Sequence, residues 1–140
     1  MSGLNLLIGM PSGRGQIAGG TVGSLMALVE VLRESGIGSR FVCIEAADLI
    51  YSRSTMATLV AQRSDFSHLL FIDDDMTFTP DAILSMLRAD KPLIGCICPK
   101  RTFNYEKFYA AAKEGKPQDI AMAESLEFVT KMLPDRRIEI

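Results

Sequence analysis

Between Leu4 and Pro99 the chain switches repeatedly between strand-like and helix-like hydrophobic periods, and that alternation limits the folds open to it. Leu4 to Gly9 is an apolar run of strand length. After a glycine-rich turn, Val22, Leu25, Met26, Val29 and Leu32 recur at helical spacing, with Thr21 as the expected cap and Gly36 as the stop. Arg40 to Glu45 reads as a second strand. Asp48 is expected to cap a helix running to about Arg63, with Leu49, Met56, Leu59 and Val60 on its buried face, and His68 to Asp73 follows as a third strand. In Thr79-Pro80-Asp81, threonine caps, proline suits the first helical position and aspartate faces the positive helix end. A helix over Thr79–Ala89 and a fourth strand over Pro92–Cys98 are therefore predicted. The order β-α-β-α-β-α-β predicts an α/β fold, a Rossmann-like and mostly parallel sheet with right-handed crossovers and helices on both faces. Ligands of such open sheets gather at the carboxyl ends of the strands.

The 140 residues are expected to form a single domain, with a core over 4–101 and an extension over 102–140. In the extension, Tyr105 to Glu114 reads as a helix, Ile120 to Leu133 as a helix or a helix followed by a strand, and Arg137 to Ile140 as a short strand. A hydrophobic share of 48% beside a charged share of 23% belongs to an ordinary globular protein. The net charge of -2 leaves no electrostatic footprint for nucleic acid. Leu4 to Met10 is too short for a membrane span and has no cation ahead of it, so no span is expected and the expected address is cytoplasmic. Cys43, Cys96 and Cys98, an odd number in apolar runs, read as buried reduced thiols, and Cys96-x-Cys98 as core.

The chemistry is concentrated in His68-Leu69-Leu70-Phe71-Ile72-Asp73-Asp74-Asp75-Met76, an apolar strand that delivers three consecutive carboxylates at its carboxyl end. Three adjacent anions repel unless a cation joins them. Alternation along a strand sets Asp73 and Asp75 on one side and Asp74 on the other, so an Asp-x-Asp pair can grip one hard divalent metal, which in turn carries phosphate. The other strand ends bring Pro11 and Ser12, Glu45, and Pro99-Lys100-Arg101 to the same edge of the expected sheet. A carboxylate there can bond a ribose or base, and a Lys-Arg pair can meet diphosphate oxygens. Arg53, in the helix before the acidic strand, reads as a surface cation or as a group over the same crevice.

Leu4 to Pro11, Asp48 to Ser54, His68 to Met76 and Pro99-Lys100-Arg101, taken in that order, resemble the nucleotide-binding half of GT-A-type glycosyltransferases over roughly residues 4–101. The resemblance implies a nucleotide-diphospho-sugar donor bridged by Mn²⁺ or Mg²⁺ held on Asp73 and Asp75. It also implies Glu45 at the nucleoside and Arg53 near base or phosphate, with Pro11, Ser12, Asp74, Lys100 and Arg101 around the donor. Many members carry Asn after that arginine, where this chain has Ser54. Family members continue into an acceptor half with a catalytic carboxylate, which is not recognisable here. Glu124, Glu127 and Glu139 read as exposed glutamates and His68 as structural, so the acceptor and the catalytic residue stay unassigned. The chain accordingly reads as a truncated or minimal relative that self-associates, with transfer or simple donor binding both open.

Two further patterns compete. Asp73-x-Asp75-x-Thr77 after an apolar strand also fits the first motif of haloacid-dehalogenase-like phosphatases, with Asp73 as nucleophile and Asp75 as general acid, although no later acidic pair accompanies it. Gly13-x-Gly15-x-x-Ala18 resembles a dinucleotide fingerprint, but Pro11 and Ser12 separate it from the strand. A non-catalytic, nucleotide-sugar-binding or structural remnant is the alternative outside enzymes.

Overall fold

The computed structural model describes residues 3–128, 131–132 and 138–139. The chain divides into two compact units, Met1–Lys91 and Pro92–Ile140. The expected core of 4–101 thus runs ten residues beyond the first unit.

In the first unit, β1 (Asn5–Ser12), α1 (Gly19–Glu34), β2 (Gly38–Glu45), α2 (Leu49–Gln62), β3 (His68–Phe71) and α3 (Pro80–Arg88) alternate as expected. The three strands form one sheet in the order β2-β1-β3, and both pairings are parallel. This α/β arrangement is compatible with the Rossmann-like class. The path leaves β1 for β2 on one side and returns past β1 to β3 on the other, so right-handed crossovers set α1 and α2 on opposite faces. Packing agrees. Leu6, Ile8 and Met10 of β1 join Leu25, Leu28 and Leu32 of α1 and Ile83 and Leu84 of α3 in one buried cluster. On the other face, a Cβ added to Gly9 would stand 2.5 Å from Sδ of the buried Met56 in α2.

Local signals explain most boundaries. Oδ1 of Asp48 accepts from the amides of Ile50 at 2.8 Å and Tyr51 at 3.1 Å, the cap expected of it. Thr79 occupies the cap position of α3 and Pro80 its first residue, although the threonine side chain makes no cap bond. Two expectations for helix faces are corrected. α1 starts at Gly19 with Ala18 at the cap, so Thr21 lies inside the helix and is fully buried. The buried stripe of α1 is Thr21, Ser24, Leu25, Leu28 and Leu32, while Val22, Met26 and Val29 are exposed. Small polar residues face inward because the loop after β3 packs closely there, which a hydrophobic period does not register. In α2, Ser52 and Met56 are buried and Leu49 is exposed, and the buried Ser52 hydroxyl is satisfied locally by donating to the carbonyl of Asp48 at 3.1 Å.

The second unit departs most from expectation. Pro92–Cys98 forms no strand. Leu93 is 92% exposed and Ile94 and Ile97 are exposed as well. Pro92 and Gly95 both weaken strand formation, and an apolar run does not by itself supply a neighbour to pair with. The strand falls instead on β4 (Pro99–Phe103), which pairs antiparallel with β5 (Leu126–Phe128). Between them lie α4 (Tyr105–Lys113) and α5 (Gln118–Glu124), which are in contact and bury Ala111 and Ala121 respectively. Asn104 caps α4 by accepting from the amide of Lys107 at 3.0 Å. The helix-then-strand alternative for the extension is the one observed. Leu133 lies outside the described residues. β6 (Lys131–Met132) and β7 (Ile138–Glu139) pair antiparallel, and Arg137 and Ile140 of the expected last strand lie outside the described residues. All three cysteines are exposed, which corrects the buried assignment. Cys43 lies on the edge strand β2, and Cys96 and Cys98 lie in the segment without a strand.

Candidate functional site

The order β2-β1-β3 makes the gap between the carboxyl ends of β1 and β3 a topological switch point, where successive crossovers diverge to opposite faces. Ser12 ends β1 at this gap and is buried. Its neighbour across the ladder is Glu45, the last residue of β2, and the amide of Ala46 donates to the carbonyl of Ser12 at 3.1 Å. The row of strand ends is thus Glu45, Ser12 and the acidic segment, spanning about 10 Å as two strand spacings.

The three aspartates do not extend β3, as alternation had predicted. β3 ends at Phe71, and after Ile72 the chain enters a turn in which the amide of Met76 donates to the carbonyl of Asp73 at 3.2 Å. Their directions are therefore set by the turn and its partners. Ser12 Oγ donates to Oδ2 of Asp74 at 2.7 Å, and the amide of Ala18 donates to the carbonyl of Asp74 at 2.9 Å. Two residues beyond the turn, the amide of Phe78 donates to Ser24 Oγ at 3.0 Å. Gly20 admits this loop: a Cβ there would stand 2.5 Å from Oγ1 of Thr77. Three hydrogen bonds thus hold the acidic turn and the residues after it against β1 and the start of α1.

Arg53 sits in the second turn of α2, whose amino end lies at the strand carboxyl ends because the helix returns antiparallel to the strands. Its Nη2 donates to Oδ1 of Asp73 at 2.9 Å, and its Cζ lies 5.8 Å from the Phe71 ring centroid. Arg53 therefore points over the crevice, the second of its two readings. Pro11 is buried within β1 beside Ser12. Glu45 is exposed above the loop after β1, where Gly15 takes a φ of +62° and a Cβ would meet Oε2 of Glu45 at 2.6 Å. The glycine pattern read as a weak dinucleotide fingerprint thus has a local purpose, a left-handed residue that lets the Glu45 carboxylate lie close to the backbone.

Sequence reasoning missed two neighbours of this site. Thr21 Oγ1, in the first turn of α1, is buried without a hydrogen-bond partner among the described residues. The thiol of Cys43 is pushed up from its ordinary pKa, first by partial desolvation and then by the charges of Asp74 and Glu45. Only the strand register, which sets Cys43 opposite Met10 and near the end row, could have shown this.

Lys100 and Arg101 fall in β4 of the second unit, so their expected place at the end of a fourth parallel strand is corrected. The side chain of Arg101 lies outside the described residues. Their expected strand did not form, and with it went the reason for grouping them with the acidic turn. His68 begins β3 at the opposite end of the sheet, its ring nitrogen 2.9 Å from Ser67 Oγ, in keeping with a structural role. Glu124 pairs with Lys116 at 2.8 Å, and Glu127 accepts from Asn104 at 3.1 Å.

Among the described residues no group of three or more His, Cys, Asp or Glu side chains is arranged to hold a metal ion alone. The donor chemistry at the turn suits a shared site. Mg²⁺ characteristically uses one or two protein carboxylates and takes its remaining oxygens from phosphates and water. Among the described residues no helix is long and apolar enough to cross a membrane. Comparison of the chain with protein-family models, curated proteins and solved structures found no match.

Proposed function

We propose that the first unit binds a nucleotide-diphospho-sugar at the β1/β3 switch point, with Mn²⁺ or Mg²⁺ shared between Asp73, Asp75 and the diphosphate, in the manner of a GT-A-type glycosyltransferase. The observation that carries the reading is the acidic turn itself, pinned at the switch point by Ser12 and Ala18 and already paired with a cation, Arg53. When bound, the metal neutralises diphosphate charge and stabilises a departing nucleoside diphosphate. The chain's own residues do the rest. Ser12 holds Asp74 and so fixes the turn, Glu45 offers its carboxylate to nucleoside hydroxyl or base donors, and Arg53 supplies a guanidinium for phosphate. Glycosyl transfer is the reaction this donor site serves. The exposed Phe41, Leu93, Ile94 and Ile97 support the accompanying proposal of self-association, which light scattering measures directly.

Calorimetry with Mn²⁺ and a panel of nucleoside diphosphates tests the reading. Binding is expected for at least one base, lost on chelation and lost in Asp75→Ala, with Glu45→Gln weakening it severalfold. Equal affinity in wild type and Asp75→Ala with Mn²⁺ present would sink the assignment.

A further inference from the structure

Arg53 makes an incomplete set of bonds. Nη2 donates to one oxygen of Asp73, while Nε, shielded from solvent, has no acceptor among the described residues. A guanidinium presents a planar fork of donors suited to two oxygens of one anion, so a pairing that engages Nη2 alone leaves part of it unused. An unmet N–H away from water is costly, and a ligand that offers the missing acceptor recovers that cost. The Phe71 ring, 5.8 Å from Cζ, gives the guanidinium a surface to move across without leaving the crevice. Asp73 is also one of the two carboxylates to which the proposed metal falls. Two cations then compete for one carboxylate. The pair is half-exposed, with side-chain exposures of 42% for Arg53 and 51% for Asp73, and ion pairs so placed are weak enough to exchange.

We infer that Arg53 is a resident counter-ion that couples metal binding to diphosphate binding. This inference rests on the metal-dependent reading above and adds the order of events at the site. Without ligand, Arg53 neutralises Asp73 and eases the repulsion within the triple-aspartate turn. With metal and diphosphate bound, Asp73 would serve as a metal ligand, and the Arg53 guanidinium, freed from it, would turn Nε and Nη2 to diphosphate oxygens. Metal alone must displace the arginine, which then has no new anion to meet. Metal with diphosphate gives the arginine a better partner than the one it loses, so the two ligands bind with positive coupling. The residue thereby selects for diphosphate-bearing ligands over bare metal or a nucleoside.

Calorimetry on the full chain tests this with Mn²⁺ alone and with Mn²⁺ plus inorganic pyrophosphate, a probe that needs no knowledge of the base. Arg53→Gln is expected to bind Mn²⁺ alone about threefold tighter, the range set by a weak exposed ion pair. The same variant is expected to bind Mn²⁺ with pyrophosphate at least about tenfold more weakly, as loss of a charge-assisted fork requires. Arg53→Lys keeps the charge and loses the fork. It should match wild type for Mn²⁺ alone and fall between wild type and Arg53→Gln with pyrophosphate, and it carries the test if Arg53→Gln does not fold. Should these variants shift both affinities in the same direction, or neither, while Asp75→Asn abolishes Mn²⁺ binding, the counter-ion role is wrong and the metal reading stands. Absence of Mn²⁺ binding to wild type, with and without pyrophosphate, overturns both.

Discussion

Ser12 Oγ donates to Oδ2 of Asp74 at 2.7 Å, tying the end of β1 to the turn after β3 across 62 residues of sequence. The bond aims one carboxylate of the triple-aspartate run back into the sheet. Asp73 is paired instead with Arg53, at 2.9 Å. Repulsion among the three is thus relieved by a hydroxyl on one and a guanidinium on another.

Removing the hydroxyl should loosen the turn. Ser12 is buried and Asp74 half-buried, so Ser12→Ala is expected to cost about 1 kcal/mol, or about 4 °C in melting temperature. Asp74→Asn keeps a weaker, neutral bond and should lose less. Thermal melts followed by circular dichroism decide it, and a Ser12→Ala variant as stable as wild type would show that the bond does not hold the turn.

Gly15 should be intolerant of a side chain for two separate reasons. Its φ of +62° disfavours any L residue by about 1 kcal/mol, and the added Cβ displaces the exposed end of Glu45, 2.6 Å away. Gly15→Ala is therefore expected to weaken nucleoside diphosphate binding to the level of Glu45→Gln. The double variant should be no worse than either, because both remove the same contact. Additive losses in calorimetry would mean that Gly15 and Glu45 act independently.

Cys43 reports on the same corner. Its thiol is raised by desolvation and by Asp74 and Glu45, so the thiolate that reacts is scarcer than in free cysteine at the same pH. In a Cys96→Ser, Cys98→Ser background, alkylation by iodoacetamide at pH 8 should run below the free-cysteine rate. Glu45→Gln removes one raising charge and should speed it. A rate equal to that of free cysteine and insensitive to Glu45→Gln would count against the placement of these charges.

The sequence alone determined the elements of the first unit because local physics writes them directly. Asp48, Pro80 and Gly36 mark helix ends through bonds and backbone angles within a few residues, and the apolar run before Asp73 reads as a strand for any neighbour. It also pointed to the acidic segment, Arg53 and Glu45 as chemistry at strand ends. Tertiary structure decided what depends on partners distant in sequence. Thr21 and Ser24 face inward, and Val22, Met26 and Val29 outward, because a loop fifty residues away packs on α1. The aspartates lie in a turn aimed by Ser12 and Arg53 rather than alternating along a strand. Pro92–Cys98 carries an apolar run of strand length, weakened by Pro92 and Gly95, and forms no strand, while Pro99–Phe103 pairs antiparallel with Leu126–Phe128. Strand propensity is a property of a segment, but pairing is a property of two, and only the folded chain contains the second.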